Sequence, residues 1–168
     1  MKNYKIAIAN DINIFDIKSL SNYDFASKHI AVNLYYLINE LSKYYEIEWG
    51  DNAINNIENN IWNPEDVLII QEMDSRFGRK LLSLGATPLL CTTFEGPFIG
   101  HWFYNKINYF GNIFKHIIVF DHKYPNINFN KNKIVDLGFP CVEKKNISKI
   151  FKPFDKLEWT NKKTIVGI

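Results

Sequence analysis

Cysteine is scarce in this 168-residue chain: Cys91 and Cys141 are the two present, each inside an apolar run. No CxxC pair and no Cys/His ligand spacing occurs, so no structural zinc site or other metal site is expected. Two isolated cysteines fit a reducing compartment. Arginine is equally rare, with only Arg76 and Arg79. An excess of one charge is missing too: 20 Lys+Arg against 18 Asp+Glu leave a net +2. That balance speaks against a nucleic-acid partner. No apolar run approaches the roughly 18 residues that a membrane span needs. Met1 to Ile6 lacks the apolar stretch of a signal peptide, so the expected location is cytoplasmic. No GxGxxG follows an apolar run and no P-loop is found, which argues against a dinucleotide site. No internal repeat or low-complexity block stands out.

What is present is an ordinary globular composition, 46% hydrophobic and 23% charged, with a high 15% of aromatics. The length suits one domain or little more. Short apolar runs at Lys5–Asn10, Val67–Gln71, Pro88–Phe94 and Ile117–Phe120 read as buried strands. Tyr45–Trp49 and Ile134–Leu137 read as further strands. Ile30, Leu34, Leu37, Ile38, Leu41 and Tyr45 fall on one helical stripe within 24–45. Residues 74–84 form a second helical pattern closed by Gly85, and 98–114 an aromatic third. The stretch 52–62 fits a poor helix or a loop equally. Strands alternating with helices imply an α/β fold, a Rossmann-like parallel sheet covered on both faces. Sheets of that kind place their sites beyond the carboxyl ends of the strands.

Four strand ends bring polar or acidic residues to that rim: Asn10-Asp11, Gln71-Glu72-Met73-Asp74, Glu95-Gly96-Pro97 and Asp121-His122. Such a rim can house a general base or simply be solvated loop. Glu95 differs from the rest. It follows an apolar strand directly, Gly96 leaves the space beside it open, and Pro97 sets the turn into the aromatic helix. His101 and Trp102 follow shortly after.

Phe94-Glu95-Gly96-Pro97 resembles the Phe-Glu-Ser-Pro motif of the inverting α-1,3-fucosyltransferases, with Gly96 in place of Ser. The order of elements is also similar: KIAIAN, the strand at 67–71, the motif, an aromatic stretch, then a strand leading to Asp136-Leu137-Gly138-Phe139-Pro140. The resemblance implies one half of a GT-B glycosyltransferase, the N-terminal, acceptor-binding half. It implies Glu95 as the base that deprotonates an acceptor hydroxyl, with Asn10, Asp11, Glu72, Asp74, His101 and Trp102 as acceptor contacts. The implied partners are a glycan or lipid-linked glycan acceptor and a nucleotide sugar such as GDP-fucose. The nucleotide sugar is a co-substrate, and no cofactor is expected. Residues 1–142 would be the acceptor domain, 143–163 a basic linker, and 164–168 the first strand of a donor domain. The chain alone would then be inactive. The alternatives are a GT-B transferase using another nucleotide sugar and a non-catalytic Rossmann-like binding module.

Other features admit two readings each. The rings of 98–114 form either a stacking platform or core. Arg76 and Arg79 sit at a helix start that could take a phosphate or face solvent. Residues 143–163 carry seven Lys with Phe151, Phe154 and Trp159 among them. They form either a linker or a peripheral contact with the inner face of an anionic membrane.

Overall fold

The computed structural model describes residues 3–10, 21, 32–72, 75–92, 100–119 and 127–136. Six strands form one parallel sheet: β1 (Lys5–Ala9), β2 (Glu46–Trp49), β3 (Val67–Glu72), β4 (Thr87–Thr92), β5 (His116–Val119) and β6 (Ile134–Asp136). Four helices accompany them: α1 (Val32–Leu41), α2 (Gly50–Glu58), α3 (Arg76–Ser83) and α4 (Gly100–Ile113). The spatial order is β2-β1-β3-β4-β5-β6, and every neighbouring pair is parallel. The expected α/β, Rossmann-like architecture is therefore present.

The order also explains why both faces are covered. Parallel crossovers are right-handed almost without exception. The chain leaves β1 in one direction to make β2, then returns past β1 to make β3, β4 and β5. Reversing the direction of travel puts the crossover helices on opposite faces. Leu34 and Ile38 of α1 pack with Ile6, Ile8, Ile47, Trp49, Ile70, Leu90 and Ile118 on one face. On the other, Ala53 and Ile57 of α2, Leu81 of α3, Ile107 and Phe110 of α4, and Phe114 just past its end pack with Ala7, Ala9, Val67, Ile69, Cys91 and Ile117. Successive residues of each strand thus alternate between two cores.

Local chemistry sets the element ends. Ser75 caps α3: the backbone N–H groups of Phe77 and Gly78 donate to its Oγ at 3.2 and 3.4 Å. Gly85, with φ +94°, ends the same helix. Its N–H reaches Leu82 O at 3.1 Å and that of Ala86 reaches Leu81 O at 3.1 Å, a Schellman closure. Pro88 lies inside β4, where it cannot donate to the ladder. The register responds there: Ile69 pairs with Pro88 but Ile70 with Leu90, leaving Leu89 as an extra residue.

The ambiguous stretch at 52–62 resolves into α2 and the turn that follows it. Its asparagines are poor helix formers, yet Gly50, Ala53 and Ile57 fall on one buried face. Tertiary packing, not intrinsic preference, makes it helical. The first helix is described from Val32 onward, so its expected start at residue 24 lies outside the described residues, as do the linker 143–163 and the strand 164–168.

Candidate functional site at the carboxyl edge

The strand order reverses at β1 and β3, so the crossovers leaving these two strands depart toward opposite faces. A doubly wound sheet opens its ligand crevice at that point, outside the carboxyl ends. The polar side chains mark the same place. The buried polar side chains among the described residues are Asn10 (5% exposed), Gln71 (1%), Ser75 (1%) and Thr92 (0%). Asn10 directly follows β1, Gln71 is near the end of β3, Ser75 caps the helix after β3, and Thr92 ends β4. None is charged, and all four lie at one end of the sheet.

Two of the four have a structural task. Gln71 lies on the α3 face, where its side chain is packed against Gly78. A Cβ at residue 78 would stand 2.7 Å from Gln71 Cδ and 3.5 Å from Ala9 Cβ. Ser75 holds the first turn of α3. With the Phe77 and Gly78 amides donating to Ser75, that helix start has two fewer donors for an anion. Arg76 and Arg79 are exposed, and the Arg76 guanidinium rests 4.8 Å from the centre of the Phe77 ring. The solvated-face reading of these arginines therefore fits better than a phosphate site.

Thr92 has no such task. Ala9 is in register with Gln71, and Gln71 with Cys91. One step further on, Asn10, Glu72 and Thr92 come to the same level across three neighbouring strands. Thr92 alternates onto the face of Leu90, between Glu72 on β3 and Ile118 on β5 in register. Its Oγ1 is buried and has no hydrogen-bond partner among the described residues. Leaving such a hydroxyl unpaired costs about 1–3 kcal/mol. Asn10, Gln71 and Ser75, in contrast, are each engaged with neighbours.

The residues expected from the sequence distribute as follows. Asn10 is at the crevice. Glu72 is the register partner of Thr92. His101 and Trp102 fall in the first turn of α4, which follows β4. Asp11, Asp74 and Glu95 lie outside the described residues, as do Asp121 and His122. His116 opens β5 at the opposite end of the sheet. In the second half of α4 and just past its end the rings divide: Phe110 and Phe114 are core, and Tyr109 is 60% exposed. Sequence reasoning did not single out Gln71, Ser75 or Thr92 as site residues. The signal it had was a polar residue closing an apolar strand, in VLIIQ; the run Pro88–Phe94 gave none for Thr92.

Among the described residues, no three His, Cys, Asp or Glu side chains converge as metal ligands, and no helix is long and apolar enough to cross a membrane. Lys43 is held above its usual pKa, chiefly by its hydrogen bond to Glu40, but it sits beyond the far end of α1. The chain matches no protein-family model, no curated protein and no solved structure.

Proposed function

We propose that this chain is the acceptor-binding half of an inverting glycosyltransferase, with Glu95 as its general base. The observation that carries the reading is the gathering of buried, neutral hydrogen-bonding side chains at the carboxyl edge of β1, β3 and β4. Glu95 comes three residues after β4 ends at this edge. Amides and hydroxyls held in a fixed frame suit the hydroxyls of a sugar, which both donate and accept.

In the proposed step an acceptor hydroxyl gives its proton to the Glu95 carboxylate. Its oxygen bonds to the anomeric carbon of the donor sugar as the bond to the diphosphate oxygen breaks on the opposite face. The configuration inverts, and the diphosphate leaves with the bonding pair. Asn10, Asp11, Glu72 and Asp74 hold acceptor hydroxyls, and His101 and Trp102 flank the acceptor from the start of α4. The nucleotide sugar, GDP-fucose or another, is held mainly by a second domain.

The test is Glu95→Gln in the full natural protein, assayed for transfer from a panel of nucleotide sugars. A general base contributes about 10² to 10⁴ in rate, so turnover should fall by that much while acceptor binding persists. Undiminished turnover would remove Glu95 from the mechanism. A non-catalytic binding module is the second reading. The order 2-1-3-4-5 favours it, because flavodoxin-like domains with many other tasks share that order. In that case no transfer is found with any donor.

A further inference from the structure

We infer that the amino-terminal end of the sheet is a two-fold contact with a second copy of this chain, in which Glu65 of each copy faces Lys115 of the other. The inference goes beyond the acceptor reading and uses the opposite end of the sheet, so it leaves the carboxyl edge open.

That end is built from described residues. The turns that lead into β2, β3, β4 and β5 are 42–45, 59–66, 84–86 and 114–115, and residues 130–133 lead into β6. They carry the two most exposed large apolar side chains among the described residues, Tyr44 at 78% and Ile61 at 68%. Exposed apolar side chains flanked by charge are the makeup of a protein contact.

The charges decide the partner. Among the described residues, Lys5, Lys43 and Lys80 pair with Glu46, Glu40 and Glu58. Lys115 and Lys131 are exposed and have no carboxylate partner there, and Glu65 is exposed and has no cation. These three lie in one row: Glu65 just before β3, Lys115 just before β5 and Lys131 at the approach to β6. Asp66 stands beside Glu65 on the acidic side. Only β4 separates β3 from β5, so Glu65 and Lys115 are about 10 Å apart across the sheet.

A two-fold axis along the sheet normal at the start of β4 turns that row end for end. Glu65 of each copy then comes opposite Lys115 of the other, twice per dimer. Such a contact requires a patch that is complementary to itself, and a row with acid on one side of a point and base on the other meets that requirement. Gly85 and Ala86, at the axis, carry no bulky side chain to hold the copies apart. Ile61 lies inside the contact and Tyr44 at its rim. A membrane or nucleic acid of uniform negative charge would instead meet Glu65 and Asp66 with its own sign.

The experiment is sedimentation velocity on the full 168-residue chain at low and high salt, for the wild type, Glu65→Lys, Lys115→Glu and the double variant. The expected wild-type result is a species of twice the 19.8 kDa chain mass, weakening as salt rises. Each single variant sets like charges opposite each other at two places per dimer and should weaken association about 10-fold or more. The double variant restores opposite charges and should return to within about 3-fold of wild type. All three changes are on the surface, and circular dichroism checks that each variant is folded. If a variant does not fold, zero-length carbodiimide cross-linking of mixed ¹⁴N and ¹⁵N wild-type chains replaces it, with a Glu65–Lys115 link between differently labelled chains as the expected product. A chain that stays monomeric would overturn the inference. A dimer that neither single variant weakens, or a cross-link confined to one copy, would overturn it as well. A monomer that binds anionic vesicles through Lys115 and Lys131 would overturn it in favour of an anionic surface. Each of these outcomes leaves the acceptor reading standing, since that reading fails only on the Glu95→Gln assay.

Discussion

Replacing Gly78 by Ala sets two effects of known sign against each other. Within α3, Ala is favoured over Gly by about 0.5–1 kcal/mol. The new methyl would stand 2.7 Å from Gln71 Cδ, closer still to Oε1, and 3.5 Å from Ala9 Cβ. Gln71 is 1% exposed, so its amide cannot swing into solvent to make room. Overpacking of this kind costs about 1–3 kcal/mol. The steric cost wins, and the net loss is about 1–2 kcal/mol. For a chain of this size that lowers Tm by roughly 2–8 °C. Urea unfolding should show a lower midpoint with an unchanged slope. The double variant Gln71→Ala/Gly78→Ala identifies the cause. Shortening Gln71 leaves space that the added methyl at residue 78 occupies, so the two changes should couple favourably by at least about 0.5 kcal/mol. Additive losses would show that Gln71 is not what excludes a side chain at residue 78. A Gly78→Ala variant more stable than wild type would refute the reasoning outright.

Three further outcomes follow from the same packing. Thr92→Val without ligand should raise the urea midpoint, because it removes an unpaired buried hydroxyl at about 1–3 kcal/mol; a lower midpoint would show that the hydroxyl has a partner. Gly111→Ala should destabilise by about 1–3 kcal/mol, since its methyl would collide with the Phe129 ring, and differential scanning calorimetry reads the loss. Ser75→Ala should cost about 1 kcal/mol through the lost cap of α3, with hydrogen exchange at Phe77 and Gly78 accelerating before that of the rest of the helix.

The sheet was legible because its strands are apolar runs punctuated by turn residues. Val67–Gln71 and the end of α3 at Gly85 needed only periodicity and one glycine. The helix at 50–58 was harder to read, since five of the nine residues of GDNAINNIE are Asp, Asn or Glu, and only the sheet beneath decides for Gly50, Ala53 and Ile57. The extra residue at Leu89 was likewise hidden: Pro88 signals an irregular strand, but the register shift is a property of the pair with β3. At the site, Asn10 could be named because it ends a strand. Thr92 could not, because a threonine inside PLLCTTF is indistinguishable from any other β-branched strand residue until the ladder puts it level with Glu72.

The far end of α4 is held unusually firmly. Lys133 Nζ donates to the carbonyls of Gly111 and Phe114 at 2.7 and 3.1 Å, placing a cation at the negative pole of the helix. The Asn128 N–H donates to Asn108 Oδ1 at 2.8 Å, and Asn112 donates back to Asn128 at 3.2 Å. Phe129 lies flush against Gly111. The carboxyl half of α4 and the segment that leads into β6 are therefore tied together as one unit, so loosening Asn128 or Lys133 would release the end of the helix as well as the approach to β6.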